Sequence, residues 1–258
     1  AGAPESPRLM GRVVSLRAPG GRSLPPYGAP ESLPVAVNSR AVVLSETRAA
    51  TEKGAGTCVG HPVPSIELEV IGIDDGAIER WSDELVLPQG STGEIVVKGG
   101  QVTHAYFGAE EHNRLGKIAD GDTVRHRMGD LGYLDEQGRL WFCGRKSQRV
   151  VTPIGTFFTD PCEGVFDSHP DVYRSALVGA VVGGETVPVI CIEAEPGIGA
   201  GDHVRIRDEL LELGASFDHT ARIRTVLFHR GFPVDIRHNV KIGRRELGEW
   251  ATAELGGR

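Results

Sequence analysis

His126-Arg127-Met128-Gly129-Asp130-Leu131-Gly132-Tyr133, followed at a hairpin's distance by Leu140-Trp141-Phe142-Cys143-Gly144-Arg145-Lys146, decides how this 258-residue chain reads. A Gly-Asp pair feeds a strand, Asp135-Glu136-Gln137-Gly138 supplies a tight turn, and the return strand ends in Gly-Arg. The hairpin therefore carries polar groups at both ends. An aspartate held rigidly before a strand can accept two hydrogen bonds from a vicinal diol such as a ribose. An arginine beyond the return strand can reach the same sugar or a phosphate. Far downstream, Asn239-Val240-Lys241-Ile242-Gly243-Arg244 isolates a lysine in a short polar loop.

Upstream of the hairpin, Ile66, Leu68 and Val70 alternate with Glu67 and Glu69, the pattern of a half-buried strand. Gly93 to Lys98 reads as a second strand behind the turn Gln89-Gly90-Ser91-Thr92, and Val102 to Phe107 as its continuation. Residues 60–145 are thus β-rich, while 1–60 look irregular. Past Gly144 the pattern changes. Asp160-Pro161-Cys162-Glu163 has the form of a helix start, with Asp as N-cap and Glu three residues on. Apolar strands at 175–182, 187–194 and 223–229 alternate with a helix ending at Gly214 and a terminal helix over 244–255. The fold class expected is α+β: a β-rich, distorted barrel-like part over 1–145, and a small α+β domain over 146–258.

Composition excludes several roles. A net charge of −7 argues against non-specific nucleic-acid binding. Cys58, Cys143, Cys162 and Cys191 lack C-x-x-C spacing, which fits reduced cytosolic thiols and a cytoplasmic setting better than disulfides or zinc. The nine histidines form no tight ligand motif. The longest apolar run, Ala176 to Val182, is too short to span a bilayer, and no signal peptide is visible. The chain opens on Ala rather than Met, and the expectation is a piece of something longer.

Taken together and in order, these motifs resemble the acyl-adenylate-forming, AMP-dependent synthetases and ligases. Ala1-Gly2-Ala3-Pro4 is similar to that family's Gly-Ala-Pro loop beside the adenine, and Tyr27-Gly28-Ala29-Pro30-Glu31 to its Tyr-Gly-x-Thr-Glu segment. Gly93 to Gly99 with Tyr106 resembles its Gly-Glu-Leu strand, Arg127 to Asp130 its Arg-Thr-Gly-Asp, and Gly144-Arg145 its hinge opening. The resemblance implies nucleotide binding by Gly2, Ala3, Tyr27, Gly28, Asp130 and Arg145, with Asp130 on the ribose. It further implies Mg²⁺ at Glu31, a hinge at Lys146 and Ser147, and Lys241 as the catalytic residue delivered by a mobile lid domain. ATP and Mg²⁺ are the implied cofactors. Alone, each motif also has a plain reading: a turn, a strand end, a surface lysine.

Within the family one branch fits better. The strings 27–36, 127–133, 140–146, 158–163 and 232–239 look like the β-lactone synthetases of bacterial long-chain olefin biosynthesis. That branch implies a long-chain 2-alkyl-3-hydroxy acid as the small-molecule substrate, with other olefin-pathway enzymes as partners. A long-chain acyl-CoA or acyl-ACP ligase stays open, as does a non-catalytic interaction module. Two departures stand out: proline replaces threonine at position 30, and the family's phosphate loop is not found. Gly90 to Gly93 only mimics that loop and reads as a turn. An N-terminal half of the same enzyme is the expected carrier of the loop, and without it the chain is expected to be inactive. Trp141, Phe142, Phe157 and Phe158 are weighed as an acyl path against ordinary core.

Overall fold

A computed structural model describes residues 24–235 and 238–256. They form two compact units: one runs to Arg48 and resumes over Thr57–Ser147, and the other comprises Ala49–Gly56 and the chain from Gln148 onward. In the first unit the strands are β1 (Pro26–Ala29), β2 (Ser32–Val37), β3 (Thr57–Pro62), β4 (Ile66–Ile71), β5 (Gly93–Gly99), β6 (Lys117–Asp120), β7 (Thr123–Leu134) and β8 (Leu140–Arg145). Their order is β1-β2-β3-β8-β7-β5-β4, with β6 on β7, and the pairings are antiparallel.

This sheet is coiled. Flat, β2 and β4 would lie about 24 Å apart at about 4.8 Å per strand. Instead Val35 of β2 and Leu68 of β4 share one core with Val59, Ile95, Met128 and Phe142. Gln101 Nε2 closes the gap directly, donating to Pro34 O at 3.0 Å and to Ser65 Oγ at 3.2 Å. On β4, Ile66, Leu68 and Val70 are buried and Glu67 is exposed, as the alternation requires.

Residues 102–107, expected as a strand, are irregular. Their polar backbone groups have other partners: Thr103 N donates to Glu31 O at 2.9 Å, and Tyr106 N donates to Asn113 Oδ1 at 2.6 Å. Asn113, in α3 (Glu110–Gly116), returns a bond from Nδ2 to Tyr106 O. The region before β3 is also less irregular than expected. β1 and β2 are followed by α1 (Arg40–Val42), a π-helical stretch Val43–Thr47 and α2 (Arg48–Thr51).

The second unit is built on β11 (Val172–Val182), β12 (Glu185–Ala194) and β13 (Thr225–Phe228), after the short pair β9 (Val150–Thr152) and β10 (Gly155–Phe157). Successive side chains go to opposite faces. Leu177, Ile190 and Ile192 pack with α4 (Thr159–Phe166) and α5 (His203–Ala215). Ala176, Val178, Val189 and Cys191 pack with α6 (Arg244–Gly256). Burial on both faces explains runs that are apolar without alternation. β14 (Val234–Asp235) and β15 (His238–Ile242) form a separate hairpin.

The expected cap of α4 is corrected. The helix begins at Thr159 with Phe158 in the cap position and no side-chain cap bond. Glu163 turns instead toward β11 and Arg244, because a guanidinium and a backbone N–H outcompete the helix's own amide. Trp141 and Phe142 are 4% and 6% exposed, and Phe157 sits in the second unit's core, so these aromatics are packing residues rather than an acyl path.

Candidate active site

The register of β7 on β8 sets Asp130 directly opposite Arg145. Between Arg127 and Leu131 the pairing of β7 with β5 slips, and Gly129 sits at φ +64° inside this bulge. An L side chain there is strained by about 1–2 kcal/mol, although no atom lies within 4 Å of the place a Cβ would take. The bulge re-aims the carboxylate that follows. Gly129→Ala should lower unfolding stability by about that amount, as measured by denaturant titration; an unchanged midpoint would show that the bulge relaxes freely.

Asp130 is 3% exposed. Tyr27 Oη donates to its Oδ2 at 2.6 Å. Arg145 Nη1 lies 2.9 Å from Oδ1, yet this buried oxygen makes no aligned hydrogen bond. The contact is an ion pair in which no guanidinium N–H points along the line to the oxygen, so Oδ1 retains acceptor capacity. Burial pushes the Asp130 carboxyl up to about 6, against the pull of Arg145 and the Tyr27 hydroxyl. Burial and the neighbouring carboxylate hold Tyr27 well above the usual phenol range, so it stays a donor. A buried carboxylate, a half-exposed guanidinium and an aromatic ring thus converge, a set suited to a ribose and its base.

Tyr27 stands there because β1 and β2 form a hairpin in which Ala29 pairs with Ser32. Pro30 and Glu31 are its two turn residues, and the fixed φ of proline suits the first of these. Gly28, at φ +155°, has Ser32 O only 2.5 Å from where a Cβ would stand. Glu31 Oε1 accepts from Tyr106 Oη at 2.9 Å. Burial raises the Glu31 carboxyl, but its own amide, Tyr106, His126 and Lys117 together bring it below the ordinary value. It is a hard, ionised oxygen donor. Mg²⁺ is commonly held by one or two carboxylates plus substrate phosphates, and Glu31 fits that part.

Sequence alone assigns no role to an ion cluster behind the hairpin. Arg127 Nη2 pairs with Glu94 Oε2 at 2.6 Å, and Lys146 Nζ reaches Glu94 at 3.1 Å and Asp74 O at 2.9 Å. The Arg127 and Glu94 side chains are 2% and 1% exposed. The one signal of it in the sequence is a charged residue inside the apolar run Gly93 to Val97. Lys146 is thereby bonded within the first unit, and the division between units falls after Ser147. Gly90, at φ +82°, occupies a turn before β5.

Lys241 lies exposed on β15 in the second unit. Gly2 and Ala3 lie outside the described residues. None of the four cysteines is in a disulfide, and all are buried. His169, Asp171 and Glu209 bring ligand atoms within 4.8 Å of one another. Arg205 pairs with both carboxylates at 2.9 and 2.8 Å, and His169 Nδ1 accepts from Asp171 N, so this cluster is an ion-pair network. No helix among the described residues is long and apolar enough to cross a membrane.

No family model matches the chain. It is 46% identical over 260 residues to the olefin β-lactone synthetase of Xanthomonas campestris, covering 98% of this chain and 46% of that protein. The olefin β-lactone synthetase of Stenotrophomonas maltophilia is also 46% identical, with 99% and 47% covered. Among solved structures, the amide bond synthetase McbA of Marinactinospora thermotolerans superposes with a TM-score of 0.73 at 21% identity, covering 96% of this chain and 45% of that one. The o-succinylbenzoate CoA synthetase of Bacillus subtilis, in complex with its acyl-adenylate intermediate, gives 0.67 at 22% identity, with 95% and 44% covered. These structures establish the fold; the sequence relatives establish kinship. The chain belongs to the acyl-adenylate-forming, AMP-dependent synthetase and ligase family. Within it, the chain shares almost its whole length with the olefin β-lactone synthetases, and it spans about half the length of those relatives.

Proposed function

We propose that this chain contributes the ribose clamp and the catalytic lysine of an ATP-dependent β-lactone synthetase acting on a long-chain 2-alkyl-3-hydroxy acid. The observation that carries this is the cross-strand pair Asp130–Arg145 with Tyr27 on the same carboxylate, in a chain 46% identical to olefin β-lactone synthetases. In the first step a carboxylate oxygen attacks the α-phosphorus of ATP and pyrophosphate leaves. Asp130 accepts from the ribose hydroxyls, Arg145 contacts sugar or phosphate, and Lys241 neutralises the two anions as they meet. Mg²⁺ at Glu31 would offset phosphate charge. In the second step the substrate's own 3-hydroxyl oxygen attacks the acyl carbon, the acyl–phosphate C–O bond breaks, AMP departs and the hydroxyl proton passes to solvent or a base. Tethering gives that oxygen a high effective molarity, so no thiol is needed.

In this reading the second unit is the lid that brings Lys241 to the nucleotide, the setting is cytoplasmic, and the remaining half of the enzyme supplies the phosphate loop. Pro30 leaves the Glu31 carboxylate in place and suits the turn, which favours retained chemistry over a decayed module. The full-length protein given ATP, Mg²⁺ and the hydroxy acid without CoA should yield lactone, AMP and pyrophosphate. Product formation that requires CoA and gives a thioester would favour the acyl-CoA ligase reading.

Nucleotide affinity should weaken below about pH 6, where Asp130 takes up its proton. Tyr27→Phe removes a hydrogen bond that favours the carboxylate, so the midpoint should move to higher pH. ATP affinity measured from pH 5 to 8 in both proteins checks this; coincident profiles would contradict it.

A further inference from the structure

The hairpin that carries Lys241 shares no ladder with the three-stranded sheet of its own unit among the described residues. Val234 pairs with Ile242 and Asp235 with His238, and Ile242 packs on the core while Lys241 faces solvent. Something else must fix where the lysine points, and both ends of the hairpin are tied down by carboxylates of neighbouring elements.

At the entry, Phe232 is 5% exposed and its N–H donates to Glu193 Oε2 at 3.2 Å. Glu193, on β12, is itself held by Arg174 Nε at 2.7 Å, and the Arg174 guanidinium lies 5.1 Å from the Phe232 ring centroid. At the exit, Gly243 N donates to Pro233 O at 2.8 Å, and the next residue, Arg244, opens α6. Its Nη1 and Nη2 donate to the two oxygens of Glu163, the second at 2.9 Å, and Nη1 also reaches Leu177 O at 3.2 Å. Glu163 Oε1 accepts from Leu177 N at 2.7 Å, so the pair is keyed to the middle of β11. A bidentate Arg–carboxylate pair has a fixed geometry and resists the swivelling a single bond allows.

We propose that Glu163, with Arg244, and Glu193 are positioning residues for Lys241, aiming its ammonium for adenylation rather than merely holding the unit together. This rests on the reading of Lys241 as the catalytic cation. Glu163 sits on α4, far along the chain from the lysine, and both of its carboxylate oxygens are engaged by Arg244. It acts by holding the last turn before α6 in register. Displacing a catalytic group by about 1 Å can lower a rate by up to about a hundredfold.

The test is acyl-adenylate formation by the full-length enzyme in single turnover, for wild type, Glu163→Gln, Lys241→Ala and the double variant. Glu163→Gln should slow adenylation about tenfold or more, leave the KM for ATP within about twofold, and leave conversion of preformed acyl adenylate to lactone unchanged. In the Lys241→Ala background the same substitution should have no further effect, because a positioning residue has nothing left to aim. An equal loss in both backgrounds, or no loss in either, overturns the proposal. Should Glu163→Gln fail to fold, Glu193→Gln and Arg244→Lys pass through the same cycle with the same criteria. Full adenylation by Lys241→Ala would instead remove the reading of the lysine itself, a separate outcome from additive losses.

Discussion

Lys241→Ala in the full-length enzyme should reduce ATP-dependent pyrophosphate release about 10²–10³-fold, while the KM for ATP changes no more than a few-fold. The reason is where the charge builds. A carboxylate and a triphosphate repel as they approach, and the negative charge is greatest on oxygens around the α-phosphorus in the transition state. A cation placed there lowers the barrier without tightening ground-state binding, which is the signature of an interaction made only in the transition state. In the proposed function nucleotide binding rests with Asp130, Arg145 and Tyr27, all in the other unit, and should be spared. A loss below about fivefold, or one expressed mainly in KM, would assign the lysine to the surface.

Asp130→Asn is expected to weaken ATP binding and strengthen the fold together. Hydrogen bonds to a charged acceptor contribute about 1.5–3 kcal/mol each, so losing the carboxylate should reduce ATP affinity about 10- to 100-fold. The same charge is a burden in the ligand-free protein. Burial raises the folded carboxyl from 3.8 to about 6, so the folded state binds its proton more tightly than the unfolded chain. The stabilisation from that proton is complete below pH 3.8 and is lost as pH rises through about 6. At pH 8 the ionised group therefore opposes folding by about 3 kcal/mol at most, and an asparagine avoids this. Urea unfolding should show Asp130→Asn more stable by about 1–3 kcal/mol at pH 8, with the gain under about 1 kcal/mol at pH 4. A variant less stable at pH 8 would mean that the Arg145 pair outweighs desolvation.

The hairpin could be read from sequence because turn residues, strand alternation and the Gly-Asp and Gly-Arg ends are local features. Tyr27, Asp130 and Arg145 are singled out by the family resemblance and the order of the motifs rather than one by one, and the structure sets Tyr27 and Arg145 on the Asp130 carboxylate. What stayed hidden depends on contacts distant in sequence. Glu94 looks like an exception in an apolar strand until Arg127 and Lys146 close on it. Residues 102–107 have the composition of a strand but give their amides to Glu31 and Asn113. Glu163 looks like a capping residue three positions after Asp160, and only the packing of α4 against β11 shows Arg244 as its partner. Tertiary partners override local patterns in both of the last two elements.

Tracing oxygen distinguishes activation of the carboxylate from activation of the hydroxyl. The full-length protein would be given the hydroxy acid with ¹⁸O in both carboxylate positions, ATP and Mg²⁺, and the AMP analysed by mass. Attack of the carboxylate on the α-phosphorus followed by ring closure leaves one labelled oxygen on AMP and one in the lactone carbonyl. Unlabelled AMP, with both labels retained in the product, would mean that the hydroxyl and not the carboxylate had been activated, and would rule out an acyl adenylate.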